Sequence, residues 1–326
     1  AISAGGRLGY VLFYEPSLLW TFTGSVPFWG LFNVQRGGMA SHGGMIGVVV
    51  ACWFISRGFV AQDDTADASH TTRGPVRVGA CPVRHVMDAV AFVAPVGLLL
   101  GRLANFVNGE LLGKIVSMPG EPSPWWAVKF PQELNSAPIA KGGHAPPLTD
   151  ELETQLTMLL MPFSRETDKD FFGPAYDRMM EVLQHGPVER VRELSAQLAP
   201  ILSARHPSQL YQAAAEGLIL GAVLITVWAK PRTPGVVAAW FLITYGVLRV
   251  VTEFWRLPDA NLTVQRIAGL SRGQWLSVVM VATGIVWMAW ILKRAKNEAK
   301  LGGWMVRPTR GSLQGATNGP ASGEQS

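Results

Sequence analysis

Long apolar stretches alternate with polar ones along most of the 326-residue chain. A helix needs about 20 mostly apolar residues to cross the hydrocarbon of a bilayer. Five stretches meet or approach that length, at roughly Gly38–Ile55, Val86–Phe106, Gln212–Trp228, Val236–Val251 and Trp275–Leu292. Residues 1–20, "AISAGGRLGYVLFYEPSLLW", read as the tail of a further span. With no initiator Met and no basic leader ahead of a cleavage site, the pattern predicts an N-terminal truncation and no signal peptide.

One polar stretch is of a different kind. "MPGEPSPWW" and "AKGGHAPPL" are broken by Pro and Gly and read as loops. "DRMMEVLQHGPVERVRELSAQLAPIL" has apolar residues at helical spacing, with a break near Gly186-Pro187. The pattern therefore predicts an all-α polytopic membrane protein. Spans fill 1–113 and 206–300, an extramembrane cap fills 114–205, and a Gly-, Ser- and Pro-rich tail, 301–326, is expected to be disordered.

Composition agrees with the membrane reading: 48% of residues are hydrophobic and only 16% charged, which is apolar for a soluble chain of this length. The net charge of +5 then speaks to orientation. Twelve Lys and Arg lie in loops 57–85 and 229–235 and after residue 292, against four in loops 21–37 and 255–273. That excess places the first set in the cytoplasm and, by alternation, the cap outside. No basic–aromatic surface pattern suggests a nucleic-acid partner. Cys52 and Cys81 lack metal-ligand spacing and are not expected to form a disulfide. Trp228, Trp255 and Trp275 lie near span ends, where interfacial belts form.

The polar residues of the spans are the candidate chemistry. On this topology "SHGGM", "GRLANFVNGE", "RHPSQLY" and "YGVLRVVTEFWRLPD" all fall at the outer face. Ionisable residues in a membrane are costly and are functional candidates by default. Arg249, Glu253 and Arg256 stand at i, i+4 and i+7, one stripe on a helix, and Arg102 and Asn105 share a face. Two guanidinium forks facing a common space suit a phosphate. An Arg249–Glu253 ion pair that only locks two spans is the alternative. Asn108 and Glu110 accompany Arg102. His42, beside Gly43-Gly44, is either a helix-packing residue or a proton acceptor.

Taken in order, "GGRLGYVLFY", "GGMASHGG", "GRLANFVNGELLG", "RHPSQLYQ" and "YGVLRVVTEFWRLPDA" resemble the prolipoprotein diacylglyceryl transferases of bacterial inner membranes. The resemblance covers nearly the whole chain apart from the cap and the tail. It implies a bundle of seven spans, of which about five and a half are present here. It implies transfer of the diacylglyceryl group of phosphatidylglycerol to the lipobox cysteine of a preprolipoprotein, with glycerol 1-phosphate released. The partners would be phosphatidylglycerol, a lipobox peptide and the bilayer, and the site would face the periplasm; no cofactor or metal is implied. The resemblance casts Arg102 as a phosphatidylglycerol-binding arginine, with Asn105 and Glu110 as companions and Arg256 nearby. It casts Arg249 as the second essential arginine, with Glu253, and His42 as the motif histidine. Tyr14 and Tyr245 are expected in support, as is Asn108. This chain departs from the family pattern at Ser41 and Ala104. The competing class, a transporter or channel for an anionic solute, predicts polar residues through the inner halves of the spans. "GVVVACWF" and "LILGAVLITVW" carry no charged residue.

Overall fold

A computed structural model describes residues 1–13, 15–22, 24, 28–32, 41–62, 75–136, 138–139, 143–168, 170–257, 266–267, 270–294 and 297–303. The tail expected to be disordered lies almost wholly outside them. Ten α-helices, five 3-10 turns, a π-helical turn and three two-stranded ladders are the regular elements of the described residues. Among the described residues, four helices are long and apolar enough to cross a membrane: Val83–Asn108, Ser208–Trp228, Val236–Trp255 and Gly273–Arg294. They contain four of the five expected spans, extended by a few residues at one or both ends. The fifth, α2 (Ser41–Ser56), is apolar but has only 16 residues. The chain divides into two compact units.

The first unit comprises Ala1–Phe92, Thr226–Trp240 and Trp287–Ser326. Within it α1 (Ile2–Phe13) packs on α2 through glycines. Gly5 and Gly9 are four apart, as are Gly43 and Gly47. A Cβ on Gly5 would run into the Gly43 carbonyl, and one on Gly43 into the Gly5 carbonyl. Small residues at this spacing let membrane helices meet backbone to backbone, where dispersion replaces the missing hydrophobic drive. Buried Arg7 gives its Nε to the Leu31 carbonyl and its Nη2 to that of Gly30, both at 2.8 Å. A hairpin, β1 (Phe59–Gln62) with β2 (Pro75–Val78), follows α2.

The same unit contains a buried carboxylate with a structural task. Asp88, on the first turns of α3 (Val83–Asn108), is 2% exposed. It accepts hydrogen bonds from the backbone N–H of Gly235 (2.7 Å) and Ala238 (2.8 Å). These are orphan donors at the start of α9 (Val236–Thr252). An anion at a helix N-terminus is also favoured by the helix dipole. Asp88 thus caps a neighbouring span from the side. Arg84, one turn earlier, donates through Nη2 to both carboxylate oxygens of Glu298, at 2.7 and 2.8 Å.

The second unit comprises Val93–Ile225 and Phe241–Val286. It holds the segment 114–205, expected as a cap, in which the expected helix and break are found as α5 (Phe172–His185) and α6 (Val188–Leu198), separated at Gly186-Pro187. With α4 (Asp150–Leu160) they enclose a core of Leu156, Leu160, Met179, Leu194, Leu198 and Ile201. Inside that segment lies a fully buried ion pair: Arg205 Nε meets Glu133 Oε2 at 2.7 Å, and Glu133 also accepts from the Ser203 amide and hydroxyl.

Candidate functional site

Three chain segments far apart in sequence build the site inside the second unit. They are the C-terminal half of α3, the helix beginning at α7 (Ser208–Gln212), and the end of α9. Pro207 stands just before α7, where its missing N–H costs nothing. The α7 helix then widens into a π-helical stretch, Ala213–Ile219, before resuming as α8 (Leu220–Trp228). Such π-turns are uncommon and are frequent at functional sites. Gly217, on this stretch, lies so close to α3 that a Cβ there would stand 2.6 Å from the Leu99 Cβ. That approach brings the preceding residue, Glu216, onto Arg102.

Glu216 is fully buried and bridges two arginines. Arg102 Nε donates to its Oε2 at 2.9 Å, and Arg249 Nη1 stands 3.6 Å from its Oε1. Arg249 Nη2 pairs with Glu253 Oε2 at 3.2 Å, and Arg256 Nη1 lies 3.7 Å from the same oxygen. All five side chains are at most 15% exposed. Tyr245, one turn before Arg249, lies against Arg102 within the field of Glu216 and Arg249. Three arginines against two glutamates leave one net positive charge. A cluster with that balance, enclosed among apolar helices, is suited to an anion.

The frame around the cluster is stitched by backbone. Lys114 donates its N–H to the Trp255 carbonyl (2.9 Å), Leu257 to Leu112 (3.1 Å) and His206 to Lys114 (3.0 Å). These bonds fix the ends of α3 and α9 to the start of α7. The next span, α10 (Arg272–Arg294), opens with a capping box. Ser271 Oγ accepts from the Gln274 N–H at 3.1 Å, and Gln274 Oε1 accepts from the Ser271 N–H at 3.0 Å. Ser271 Oγ also reaches Glu253 at 3.4 Å. His206 stacks on Trp126 and approaches the Tyr211 hydroxyl. Burial, aided by the Lys114 ammonium, holds its ring below the ordinary imidazole pKa.

The expected residues fall into three groups. Arg102, Tyr245, Arg249, Glu253 and Arg256 come together. The Arg249–Glu253–Arg256 stripe is not one α-helix, however: α9 ends at Thr252, a 3-10 turn holds Glu253–Trp255, and Arg256 is extended and bridges Gly113. Asn105 is half-buried on the Arg102 helix, but Asn108 and Glu110 are exposed. Their backbone carbonyls accept from Gln132 and Gln209, and among the described residues the Glu110 carboxylate forms no ion pair. Glu110 is thus no partner of Arg102 here; Glu216 is. Tyr14 lies outside the described residues, as does the side chain of His42, whose backbone begins α2. Sequence reading missed Glu216. Its signal was present, a lone acid in the apolar run "QAAAEGLILG".

Comparison with known proteins bears on what this cluster is for. The sequence profile of the family described as prolipoprotein diacylglyceryl transferase matches residues 1–290. The phosphatidylglycerol–prolipoprotein diacylglyceryl transferase of Bdellovibrio bacteriovorus is 37% identical over 304 residues, covering 92% of this chain and 78% of that protein. Proteins of the same name from Photorhabdus laumondii and Ralstonia pickettii are 34% and 35% identical, covering 92% and 91% of this chain and 76% and 75% of theirs. With a profile match over most of its length and relatives at this identity, the chain belongs to the prolipoprotein diacylglyceryl transferase family.

Proposed function

We propose that this chain is an inner-membrane, multi-pass enzyme that moves the diacylglyceryl group of phosphatidylglycerol onto the lipobox cysteine thiol of a preprolipoprotein. The observation that carries the site assignment is the Glu216 bridge, which holds Arg102 and Arg249 side by side in a buried cluster of net positive charge. Arg102 meets Glu216 through Nε, so its terminal nitrogens are the atoms to grip a phosphate. Arg249 is the second grip, and Glu253 orients it through the 3.2 Å pair.

The chemistry follows from those groups. The thiolate sulfur attacks the glyceryl carbon bonded to the phosphate oxygen. A C–S bond forms as the C–O bond breaks, and the electron pair leaves on the phosphate as glycerol 1-phosphate. Charge grows on that phosphate in the transition state, where fixed guanidinium donors in a water-poor site stabilise it most. His42 is assigned as the acceptor of the thiol proton, with Tyr14 and Tyr245 in support. The site faces the periplasm beneath the cap formed by 114–205, and the membrane portion is the family's seven-span bundle, about five and a half spans of it in this chain.

The test supplies membranes bearing the full chain with phosphatidylglycerol labelled in the diacylglycerol part and a lipobox peptide. Label appearing on the cysteine as a thioether, with one glycerol 1-phosphate released per peptide, supports the assignment. Release of label without thioether formation would count against it.

A further inference from the structure

The face of α7 that meets α3 carries a buried polar stripe. Gln209 stands three residues before Gln212, and Glu216 four after it; all three side chains are at most 1% exposed. The two helices run antiparallel, and their contacts set a register. Gln209 Nε2 donates to the Glu110 carbonyl at the top of α3. Glu216 takes Arg102, two turns below, and Gly217 packs on Leu99. Gln212 therefore lies at the level of Asn105 and Phe106, directly above the Arg102–Glu216 pair.

Gln209 and Glu216 have partners at this interface. Gln212 does not: among the described residues neither its Oε1 nor its Nε2 meets a hydrogen-bond partner. A buried amide without partners is unfavourable, because it loses the hydrogen bonds it made to water and gains nothing in return. Such a group in a native site points to a ligand. Asn105, half-buried, stands at the corresponding level of the facing helix and carries a second amide.

We infer that Gln212, with Asn105 opposite, is the determinant of headgroup selectivity, and that its amide binds the glycerol hydroxyls of the phospholipid. This rests on the lipid-phosphate role proposed above for Arg102 and Arg249. An amide offers two donors and one acceptor oxygen, and a hydroxyl both donates and accepts, so the two satisfy each other in either direction. The terminal glycerol is the only part of phosphatidylglycerol that carries free hydroxyls, and it hangs on the phosphate. A phosphate held at Arg102 therefore places those hydroxyls within reach of the next turn, where Gln212 stands. An ammonium headgroup would meet the amide only through Oε1 and would add charge to a cluster that is already positive. A site built to bond a hydroxyl rejects an analogue lacking it, because its own polar groups are then left unpaired.

The test uses the full chain in detergent micelles, with Gln212→Met as the near-isosteric variant and Gln212→Leu as the second. Short-chain phosphatidylglycerol and phosphatidic acid, which lacks the glycerol headgroup, are compared as ligands by the rise in thermal midpoint and by apparent affinity. The wild type should prefer phosphatidylglycerol, and both variants should lose that preference, on the order of tenfold, while still binding phosphatidic acid. Without ligand, the variants should melt no lower than wild type, since they remove an unpartnered polar group. Variants that keep the preference overturn the inference, and so do variants that melt well below wild type, because the amide would then have a structural partner. A wild type that binds both lipids equally refutes headgroup recognition alone. A wild type that binds neither refutes the phosphate site as well.

Discussion

Glu216→Gln is the most informative single change, because it keeps shape and removes one charge. The fully buried carboxylate has a good contact with Arg102 at 2.9 Å and a looser one with Arg249 at 3.6 Å. The amide oxygen can still accept from Arg102 Nε, so the first contact falls from a charge-assisted to a neutral-acceptor hydrogen bond, a loss of about 1–1.5 kcal/mol. The second contact is too long for a hydrogen bond and loses only electrostatic attraction. The cluster meanwhile goes from one net positive charge to two. A total of about 2–3 kcal/mol follows, short of the roughly 3–5 kcal/mol of a buried pair broken outright. The effect on rate should be larger. If Glu216 positions both guanidinium groups, shifts of about 1 Å on its loss cost on the order of a hundredfold in turnover. Affinity for the anionic lipid should change far less, since both arginines remain. The assay pairs thermal melting in detergent with transfer of labelled lipid to a lipobox peptide at saturating lipid. A variant that melts lower yet turns over at the wild-type rate would refute the positioning role.

Further outcomes follow from the same geometry. Arg249→Lys should transfer much more slowly than wild type, because an ammonium cannot span Glu216, Glu253 and a phosphate as a planar fork does; Glu253→Gln should cost less, and turnover of the two side by side checks the order. Asp88→Ala should lower the melting midpoint, with two N–H donors at the start of α9 left unpaired at about 1–3 kcal/mol each; a midpoint within error of wild type would contradict the cap. For His206, whose pKa is held down by burial, the unfolded chain binds its proton first on acidification. That contribution is therefore present above the ordinary imidazole value of about 6.5 and lost as pH falls below it, so wild type should lose more stability than His206→Gln between about pH 7.5 and 5.5.

What the sequence made legible follows from how locally each feature is encoded. Span positions came from runs of apolar residues, and the break between α5 and α6 from Gly186-Pro187. Arg102 and Arg249 stood out as cations at span ends. Glu216 did not, because its meaning depends on a π-turn and on a glycine contact with α3, and neither is written in a local pattern. The i, i+4, i+7 spacing placed Arg256 on a helix that in fact ends at Thr252; Arg256 reaches Glu253 from extended backbone. The resemblance cast Glu110 as a companion of Arg102, but Gly109, with φ +66°, turns the chain there and the Glu110 side chain is exposed. The Glu133–Arg205 pair, 72 residues apart, was equally out of reach.

The central claim is that Arg102 and Arg249, held by Glu216, grip the phosphate of phosphatidylglycerol while its diacylglyceryl group is transferred. The most direct measurement is single-turnover transfer from labelled phosphatidylglycerol to a lipobox peptide, by wild type and by Arg102→Ala inserted in membranes to the same level. Wild type should form the thioether and release glycerol 1-phosphate in equal amounts, and Arg102→Ala should do neither at a measurable rate. Transfer by Arg102→Ala at the wild-type rate would contradict the account.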